Sequence, residues 1–240
     1  MKPETVSPAA SEAWRLLLHP PAAHRGLWSP KGAPENSLAA FEAAAEAGYG
    51  VELDVRLSAD GEVMVFHDDG LERMVGRQGR FADHTAAELG AMRLKGTREP
   101  VPALREVLAR VDGRSLIHIE LKTRPGEEGP LDEAVAALVD AYPGPLAVIG
   151  FNPHSHAWWA NHRPDVLRGL DCRDERRLAD HIGVGRPHFL ALSADMLAGD
   201  PARRARDAGF PIVAWTVRSE IQAADIAGLY DNLIFEGFRP

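Results

Sequence analysis

The stretch VELDVRLSADGEVMVFHDD, residues 51–69, indicates how this chain folds. It is typical of a strand over Val51–Leu57, a turn at residues 58–61 and a returning strand over Glu62–Phe66 that ends at His67. The Asp60-Gly61 pair can supply the positive φ angles of a tight hairpin turn. The stretch therefore predicts a β-hairpin with polar residues at its open end.

The first strand of this hairpin carries acids on one face. Because side chains alternate along a strand, Glu52, Asp54 and Arg56 share one side. A two-residue loop brings His67 to that same face, opposite Glu52 or Asp54, whereas a three-residue loop moves it to the other face. Two interpretations of the hairpin alone remain open. It could present a solvated face on which Arg56 neutralises an acid, or a metal site with a catalytic acid or base beside it.

Composition excludes several classes of protein. The 240 residues are 45% hydrophobic and 26% charged, as in an ordinary globular protein. A formal net charge of −8 argues against a nucleic-acid partner bound by a general basic surface, although a pocket can still attract an anionic small molecule. Cys172 is the only cysteine, which excludes an intrachain disulfide and favours a reducing compartment.

The first twenty residues, MKPETVSPAASEAWRLLLHP, lack the apolar core of a signal peptide. No segment approaches the roughly 20 apolar residues that span a bilayer. We therefore expect a cytoplasmic protein without stable membrane insertion, present as a monomer or small homo-oligomer.

The rest of the chain alternates predicted strands with predicted helices. The strands are Ala22–Gly26, Val51–Leu57, Ser115–Lys122, Leu146–Phe151, Val166–Asp171, His188–Leu192, Pro211–Val217 and Asn232–Phe235. The helices are Glu35–Ala47, Thr85–Met92, Val101–Arg110, Leu131–Ala141, His154–Asn161, Asp174–Ile182, Pro201–Ala208 and Ser219–Ala227. Such alternation over about 250 residues is typical of a (β/α)₈ barrel.

We predict one α/β domain over residues 1–240, a (β/α)₈ TIM barrel with a β-hairpin extension after its second strand. No helix follows the final strand in the sequence. A short N-terminal helix at Ser11–Leu18, with Ser11 as N-cap, is expected to pack against the barrel and replace part of the missing cover. The Gly70–Pro100 region is expected to be irregular apart from Thr85–Met92.

Polar residues gather where the barrel strands end, which is where such barrels carry their chemistry. They are His24 and Arg25 on the first strand, Glu52 and Asp54 on the second, Glu120 and Lys122 on the third, Trp215 on the seventh, and His67 on the hairpin. Three carboxylates are hard oxygen ligands that suit Mg²⁺ or Ca²⁺. Two cations and two imidazoles around such an ion describe a site that cleaves a phosphodiester.

Several motifs extend this hypothesis to a family. They are AHRG at residues 23–26, PENSLAAFEAA at 34–44, VELDVRLSADG at 51–61, VFHDD at 65–69, IELK at 119–122 and AWTV at 214–217. Taken together, and in this order, they resemble the glycerophosphodiester phosphodiesterase family, whose barrel is related to that of the phosphatidylinositol-specific phospholipases. One departure is the tail FEGFRP at 235–240, where family members often carry Thr-Asp-x-Pro.

The resemblance implies a role for each polar residue. Glu52, Asp54 and Glu120 would be the metal ligands, His24 and His67 the acid–base pair, and Arg25 and Lys122 the phosphate-binding residues. The implied reaction is hydrolysis of a small glycerophosphodiester to an alcohol and glycerol 3-phosphate. Trp215 is expected to present an apolar face to the glycerol.

Two other functions remain open at this point. A phospholipase-D-like or cyclising lyase on the same scaffold would release a cyclic phosphate. A catalytically silent phosphate- or headgroup-binding protein would lack an imidazole or a metal carboxylate, and the sequence lacks neither.

Neighbouring polar residues are expected to be structural. His118 should be a hydrogen-bonded residue of the barrel interior rather than a ligand. Glu35 and Asn36 should cap and orient the first barrel helix and its loop. A rim of acidic and basic residues, Asp68, Asp69 and Arg73, should be solvated.

Overall fold

In a computed structural model that describes residues 8–240, nine strands form one sheet. They are β1 (Ala22–Ala23), β2 (Gly50–Leu57), β3 (Val63–Val65), β4 (Ile117–Leu121), β5 (Leu146–Gly150), β6 (Leu167–Cys172), β7 (Phe189–Ser193), β8 (Ile212–Val217) and β9 (Asn232–Phe235). All except β3 are parallel and close into a ring, because β1 pairs with both β2 and β9. The prediction of a (β/α)₈ barrel is confirmed, although β1 is shorter than expected.

Helices accompany the barrel strands, and most of them cover the outside of the ring. They are α1 (Pro8–Leu17), α2 (Leu38–Glu46), α3 (Glu72–Val75), α4 (Ala86–Ala91), α5 (Leu104–Val111), α6 (Pro130–Asp140), α7 (Pro153–His162), α8 (Leu178–Gly185), α9 (Asp200–Asp207) and α10 (Glu220–Asp225). Between residues 8 and 240, every helix is too short or too polar to cross a membrane.

Strand alternation divides the core into two layers. Outward-facing side chains such as Leu53, Val55 and Ile119 pack against the helices in one large apolar cluster. Inward-facing side chains such as Leu167 and Phe189 fill the amino-terminal half of the barrel interior. The carboxyl end of the interior is left for polar residues.

Helix α1 covers the amino end of the barrel. Its Ala13 and Leu17 side chains are buried in the same cluster as the inward-facing strand residues. Asn232 at the start of β9 donates from Nδ2 to the carbonyl oxygens of Leu17 (2.8 Å) and Pro20 (2.9 Å). The expected packing of this helix is therefore observed. However, it begins before Ser11, which is not its N-cap, and it covers the end of the barrel rather than its outer surface.

The register of the hairpin differs from both two-residue-loop predictions. Val55 pairs with Val65 and Leu57 with Val63, which leaves a five-residue loop over residues 58–62. Continued regularly, this register would turn His67 away from the acids. The strand ends at Val65 instead, and Arg56 donates from Nε and Nη2 to the His67 carbonyl oxygen at 3.0 and 2.7 Å. His67 therefore reaches the acidic face by leaving the strand.

Residues 70–100 form an ordered rim with a small core of their own. Helix α4 is present as predicted, with Thr85 as its N-cap. Helix α3 and two 3₁₀ turns at Phe81–Asp83 and Leu94–Gly96 were not predicted. Buried side chains hold them together, including Phe66 and Phe81, whose rings stack at 4.9 Å. This region is more regular than its glycine content suggests.

Candidate active site

Three carboxylates converge at the carboxyl end of β2 and β4. These strands are parallel neighbours, and Asp54 lies directly opposite Glu120. Glu52 lies two residues earlier on β2 and therefore faces the same side. One oxygen atom of each carboxylate lies within 4.8 Å of the other two, and all three residues are buried. Strand alternation and register together therefore build the predicted acidic cluster.

Two cations and one amide surround these acids. The Lys122 Nζ atom lies 2.7 Å from Asp54 Oδ1 and 2.5 Å from Glu120 Oε1. The Arg25 Nε atom lies 3.2 Å from Asp54 Oδ2, and Asn36 donates from Nδ2 to the same oxygen at 2.7 Å. Asp54 is thus held by three neighbours at once. Lys122 and Arg25 are committed to the acidic cluster in this structure.

The acids respond differently to this environment. Burial and repulsion from Asp54 and Glu120 raise the pKa of Glu52 well above its usual value. Burial, partly offset by Lys122, raises the pKa of Glu120 to about 7. Burial acts against the charge of Asp54 too, but Lys122 and Arg25 outweigh it and hold the pKa of Asp54 well below normal. Without a further cation, burial and mutual repulsion therefore disfavour the charged forms of Glu52 and Glu120.

Glu52 shows that the cluster fits a metal ion. Its Oε2 atom accepts a hydrogen bond from the Arg25 backbone N–H at 2.8 Å. Its Oε1 atom is buried and has no hydrogen-bond partner among residues 8–240. A buried carboxylate oxygen without a partner is costly, and a divalent cation would supply one. The three carboxylates could therefore hold an ion that prefers hard oxygen ligands.

His24 is presented by a tight turn after β1. The turn depends on Gly26, whose φ is +80° and where a Cβ atom would lie 2.7 Å from the Ala40 carbonyl carbon. The His24 ring lies between two acids. Its Nδ1 atom is 2.5 Å from Glu236 Oε2, and its Nε2 atom is 3.9 Å from Glu52 Oε2. Burial lowers the pKa of His24, and the hydrogen bond with Glu236 partly opposes this.

His67 also has a carboxylate partner. Its Nδ1 atom lies 2.7 Å from Asp68 Oδ1. Arg73 donates to Asp68 from Nε at 2.7 Å and to Glu35 from Nη1 and Nη2 at 2.8 and 2.7 Å. Burial lowers the pKa of His67, with Asp54 acting in the opposite direction. Asp68 and Arg73 therefore belong to an ion-pair network. The prediction that Asp68 is solvated is wrong, because its side chain is half-buried, whereas Arg73 and Asp69 are exposed as predicted.

The cap prediction for Glu35 and Asn36 is also wrong. Helix α2 begins at Leu38, and its N-cap is Ser37, whose Oγ accepts from the Ala40 N–H at 3.2 Å. Asn36 instead binds Asp54, and Glu35 binds Arg25 and Arg73. The PENS motif therefore supplies the surroundings of the acidic cluster.

These groups line one cavity of about 210 Å³. All predicted site residues except Asp54 form its wall, and Asp54 lies beneath it, fully buried. The Trp215 ring meets Phe151 edge to face at 5.5 Å, and both rings line the cavity. Asp171, Arg173 and Arg218 also line it. The cavity thus combines acids, cations and imidazoles with an aromatic wall.

The sequence also matches a known family. Residues 24–232 match the model of the glycerophosphoryl diester phosphodiesterase family. The chain belongs to this family.

Relatives agree with this glycerophosphoryl diester phosphodiesterase assignment, and a solved structure shares the fold. A glycerophosphodiester phosphodiesterase of Bacillus altitudinis is 40% identical over 90% of this chain and 93% of its own. One from Caldanaerobacter subterraneus is 30% identical over 68% of this chain, although the match spans only 64% of that relative. A phosphodiesterase structure from Oleispira antarctica, in complex with the product sn-glycerol-3-phosphate, shares the fold with a TM-score of 0.84, at 24% identity over 93% and 94% of the two chains.

Membership of the glycerophosphoryl diester phosphodiesterase family makes this chain a phosphoric diester hydrolase. His118, on β4 below the acids, is not part of the acidic cluster. It is buried in the barrel interior as predicted, and burial lowers its pKa to about 4. However, its Nδ1 atom has no hydrogen-bond partner between residues 8 and 240, so the predicted hydrogen bonding is wrong for that atom.

The sequence analysis missed two acids of the candidate site. Glu236 follows the last strand, in the tail that departs from the family pattern. Asp171 lies near the end of β6, and burial and neighbouring acids raise its pKa well above normal. A carboxylate near the carboxyl end of a barrel strand was the available signal for Asp171. For Glu236, the signal was its position after the final strand.

Proposed function

We propose that this chain hydrolyses small glycerophosphodiesters to an alcohol and glycerol 3-phosphate, using a divalent metal ion and two histidines. Mg²⁺ and Ca²⁺ both suit the donor set of Glu52, Asp54 and Glu120. Bound there, such an ion would polarise phosphoryl oxygens and offset the charge that develops on them.

The single observation that carries this proposal is the unpartnered Glu52 Oε1 in a cavity that also holds two imidazoles. A catalytically silent phosphate-binding protein would not need two histidine rings beside its bound anion. Both His24 and His67 have a carboxylate at Nδ1, which leaves Nε2 of each ring available. This arrangement favours proton transfer over simple binding.

The chain's own residues have separate tasks in this proposal. His24 takes the proton of the attacking hydroxyl, which belongs to water or to the neighbouring glycerol hydroxyl. His67 gives a proton to the departing alkoxide. Arg25 and Lys122 balance the charge of the acids and attract the anionic phosphodiester into the cavity. Trp215 forms an apolar wall for the glycerol carbons.

A screen of glycerophosphodiesters tests this function. The protein is first stripped of metal with a chelator, and Mg²⁺ or Ca²⁺ is then added back separately. We expect turnover to vanish on stripping and to return with one or both ions. Activity that is unaffected by complete metal removal would contradict the assignment of the three carboxylates.

The reaction product distinguishes hydrolysis from cyclisation. In ³¹P NMR, hydrolysis gives a phosphomonoester, whereas a cyclising lyase gives a five-membered cyclic phosphate. We expect the monoester to accumulate. A cyclic phosphate that persists as the final product would make the enzyme a lyase.

We also infer that residues 1–240 act as one domain, because the ring is closed only by strands from both ends of the sequence. A small-molecule substrate, the absence of a nucleic-acid partner and a cytoplasmic location complete the proposal. A monomer or small homo-oligomer is expected by size-exclusion chromatography with light scattering.

A further inference from the structure

Within residues 8–240, His24 contacts one acid outside the acidic cluster, Glu236. Glu236 belongs to none of the family motifs named above. It follows β9, and its Oε2 atom lies 2.5 Å from His24 Nδ1, across 212 residues of sequence. Its side chain is 20% exposed, whereas that of His24 is 13% exposed. The contact is therefore largely shielded from water.

The geometry points to Glu236 as a positioning residue that fixes the tautomer of His24, so that Nε2 faces the cavity without a proton. This inference rests on the proposed function, in which His24 activates the attacking hydroxyl. An ionised carboxylate can only accept a hydrogen bond, so the hydrogen must be on Nδ1 of the neutral ring. Nε2 is then the nitrogen that can accept a proton from the attacking group.

The backbone makes this contact rigid. The His24 N–H donates to the Phe235 carbonyl oxygen at 2.9 Å, and the Glu236 N–H donates to the Val217 carbonyl oxygen at 2.9 Å. Both partners are thus fixed by main-chain hydrogen bonds to barrel strands. A side chain that only happened to approach the ring would lack this support on each side.

Asp68, the carboxylate partner of His67, differs from Glu236 in its other contacts. Asp68 receives two hydrogen bonds from Arg73, so its negative charge is shared between the guanidinium and the imidazole. Glu236 has no such hydrogen bond among the described residues, and its nearest cation is Arg218, with Nη2 at 3.8 Å. The Glu236 carboxylate is therefore directed at the His24 ring alone, whereas the Asp68 carboxylate is shared between His67 and Arg73.

Nitrogen NMR tests the tautomer without reference to activity. In ¹⁵N-histidine-labelled protein, with the His24 signals assigned from their loss in His24→Ala, we expect the neutral ring to carry its hydrogen on Nδ1. Removing the carboxylate in Glu236→Ala should return the ring to the Nε2–H form. A wild-type ring that already carries its hydrogen on Nε2 would overturn the inference, and this result needs no variant.

Steady-state kinetics test whether this positioning of His24 by Glu236 matters for turnover. Glu236→Ala should lower kcat about 10–100-fold and leave KM unchanged, as expected when a group that orients a histidine is lost. The loss should be equal for glycerophosphocholine and for the p-nitrophenyl ester of glycerol 3-phosphate, because both need an activated nucleophile. The His67→Ala defect should shrink with the p-nitrophenyl ester, whose leaving group needs no proton.

A matched control is Glu220→Ala, which removes an exposed glutamate at the start of α10 and should leave kcat unchanged. A Glu236→Ala enzyme with raised KM and normal kcat would make Glu236 a binding residue and overturn the inference. If the loss of kcat in Glu236→Ala disappears with the p-nitrophenyl ester, His24 acts on the leaving group instead. This result would also overturn the inference. Failure of the proposed function would be distinct, because the wild-type protein would then hydrolyse neither substrate.

Discussion

The two ends of this barrel are built from the same strands but bury different kinds of side chain. At the carboxyl end, acids, cations and imidazoles are buried together around a cavity. At the amino end, α1 covers an apolar interior, and the polar side chain of Asn232 ties its last turn to the barrel. The comparison indicates that the carboxyl end serves chemistry, whereas the amino end stabilises the ring. Substitutions at the two ends should therefore affect different measurements.

Loss of either imidazole at the carboxyl end should have the largest effect. His24→Ala and His67→Ala should each lower kcat about 10²–10⁴-fold, because a positioned proton acceptor or donor is removed. The melting temperature should change little. The control is His162→Ala, an exposed histidine in the last turn of α7, which should retain full turnover. Near-normal kcat in either site variant would remove that histidine from the mechanism.

A cavity at the amino end should act on stability alone. Leu17 is fully buried, so Leu17→Ala should lower the free energy of unfolding by about 2–5 kcal/mol. The adjacent Leu18 is 47% exposed, and Leu18→Ala should change that free energy by less than about 0.5 kcal/mol. Denaturant unfolding measures both variants. Equal stabilities, or a fall in kcat of folded Leu17→Ala protein, would contradict the separation of the two ends.

Asn36 at the carboxyl end should tune metal affinity. Asn36→Gly removes the hydrogen bond to Asp54 and tolerates the φ of 56° at this position. We expect the metal concentration that gives half-maximal activity to rise about 10–100-fold, as when other partners of metal ligands are lost. Saturating metal should restore most of kcat. An unchanged metal requirement would show that this amide does not orient the ligand.

Asn232 is the corresponding amide at the amino end. Asn232→Ala leaves the Leu17 and Pro20 carbonyl oxygens without their side-chain donor, which should cost about 1–3 kcal/mol of unfolding free energy. Metal affinity and kcat should match those of the wild-type enzyme. A change in metal affinity without a change in stability would reverse the roles assigned to the two asparagines.

Local alternation explains why the acidic cluster could be predicted from sequence. Glu52 and Asp54 are two residues apart on one strand, and Glu120 lies on the next barrel strand of the sequence. Parallel strands that follow one another in such barrels are neighbours. The alternation of side chains along a strand and the order of the strands in the barrel were therefore sufficient to predict that these three residues lie together.

The turn sequence left two- and three-residue loops open and could not decide between their registers, because contacts with distant residues also hold the loop. Asp60 Oδ1 accepts a hydrogen bond from the Ala86 N–H at 2.8 Å, and the Ala59 N–H donates to the His84 carbonyl oxygen at 2.8 Å. These contacts to the rim of residues 70–100 hold the loop in its five-residue form. The turn sequence alone carries no information about them.

The ion-pair network could not be predicted from local sequence patterns either. Arg73 reaches Glu35 across 38 residues of sequence, and Glu236 reaches His24 across 212. Charged residues at strand ends and in loops look solvated until the fold shows what faces them. Only the closed ring brings these partners together.

The short strand β1 has a consequence for refolding. It has two residues, and it joins the ring only by pairing with β2 on one side and with β9, near the end of the sequence, on the other. Contacts so distant in sequence form late, because a long loop must close first. Far-UV circular dichroism should therefore recover before turnover after dilution from denaturant, and regained activity would report the moment at which the first and last strands meet.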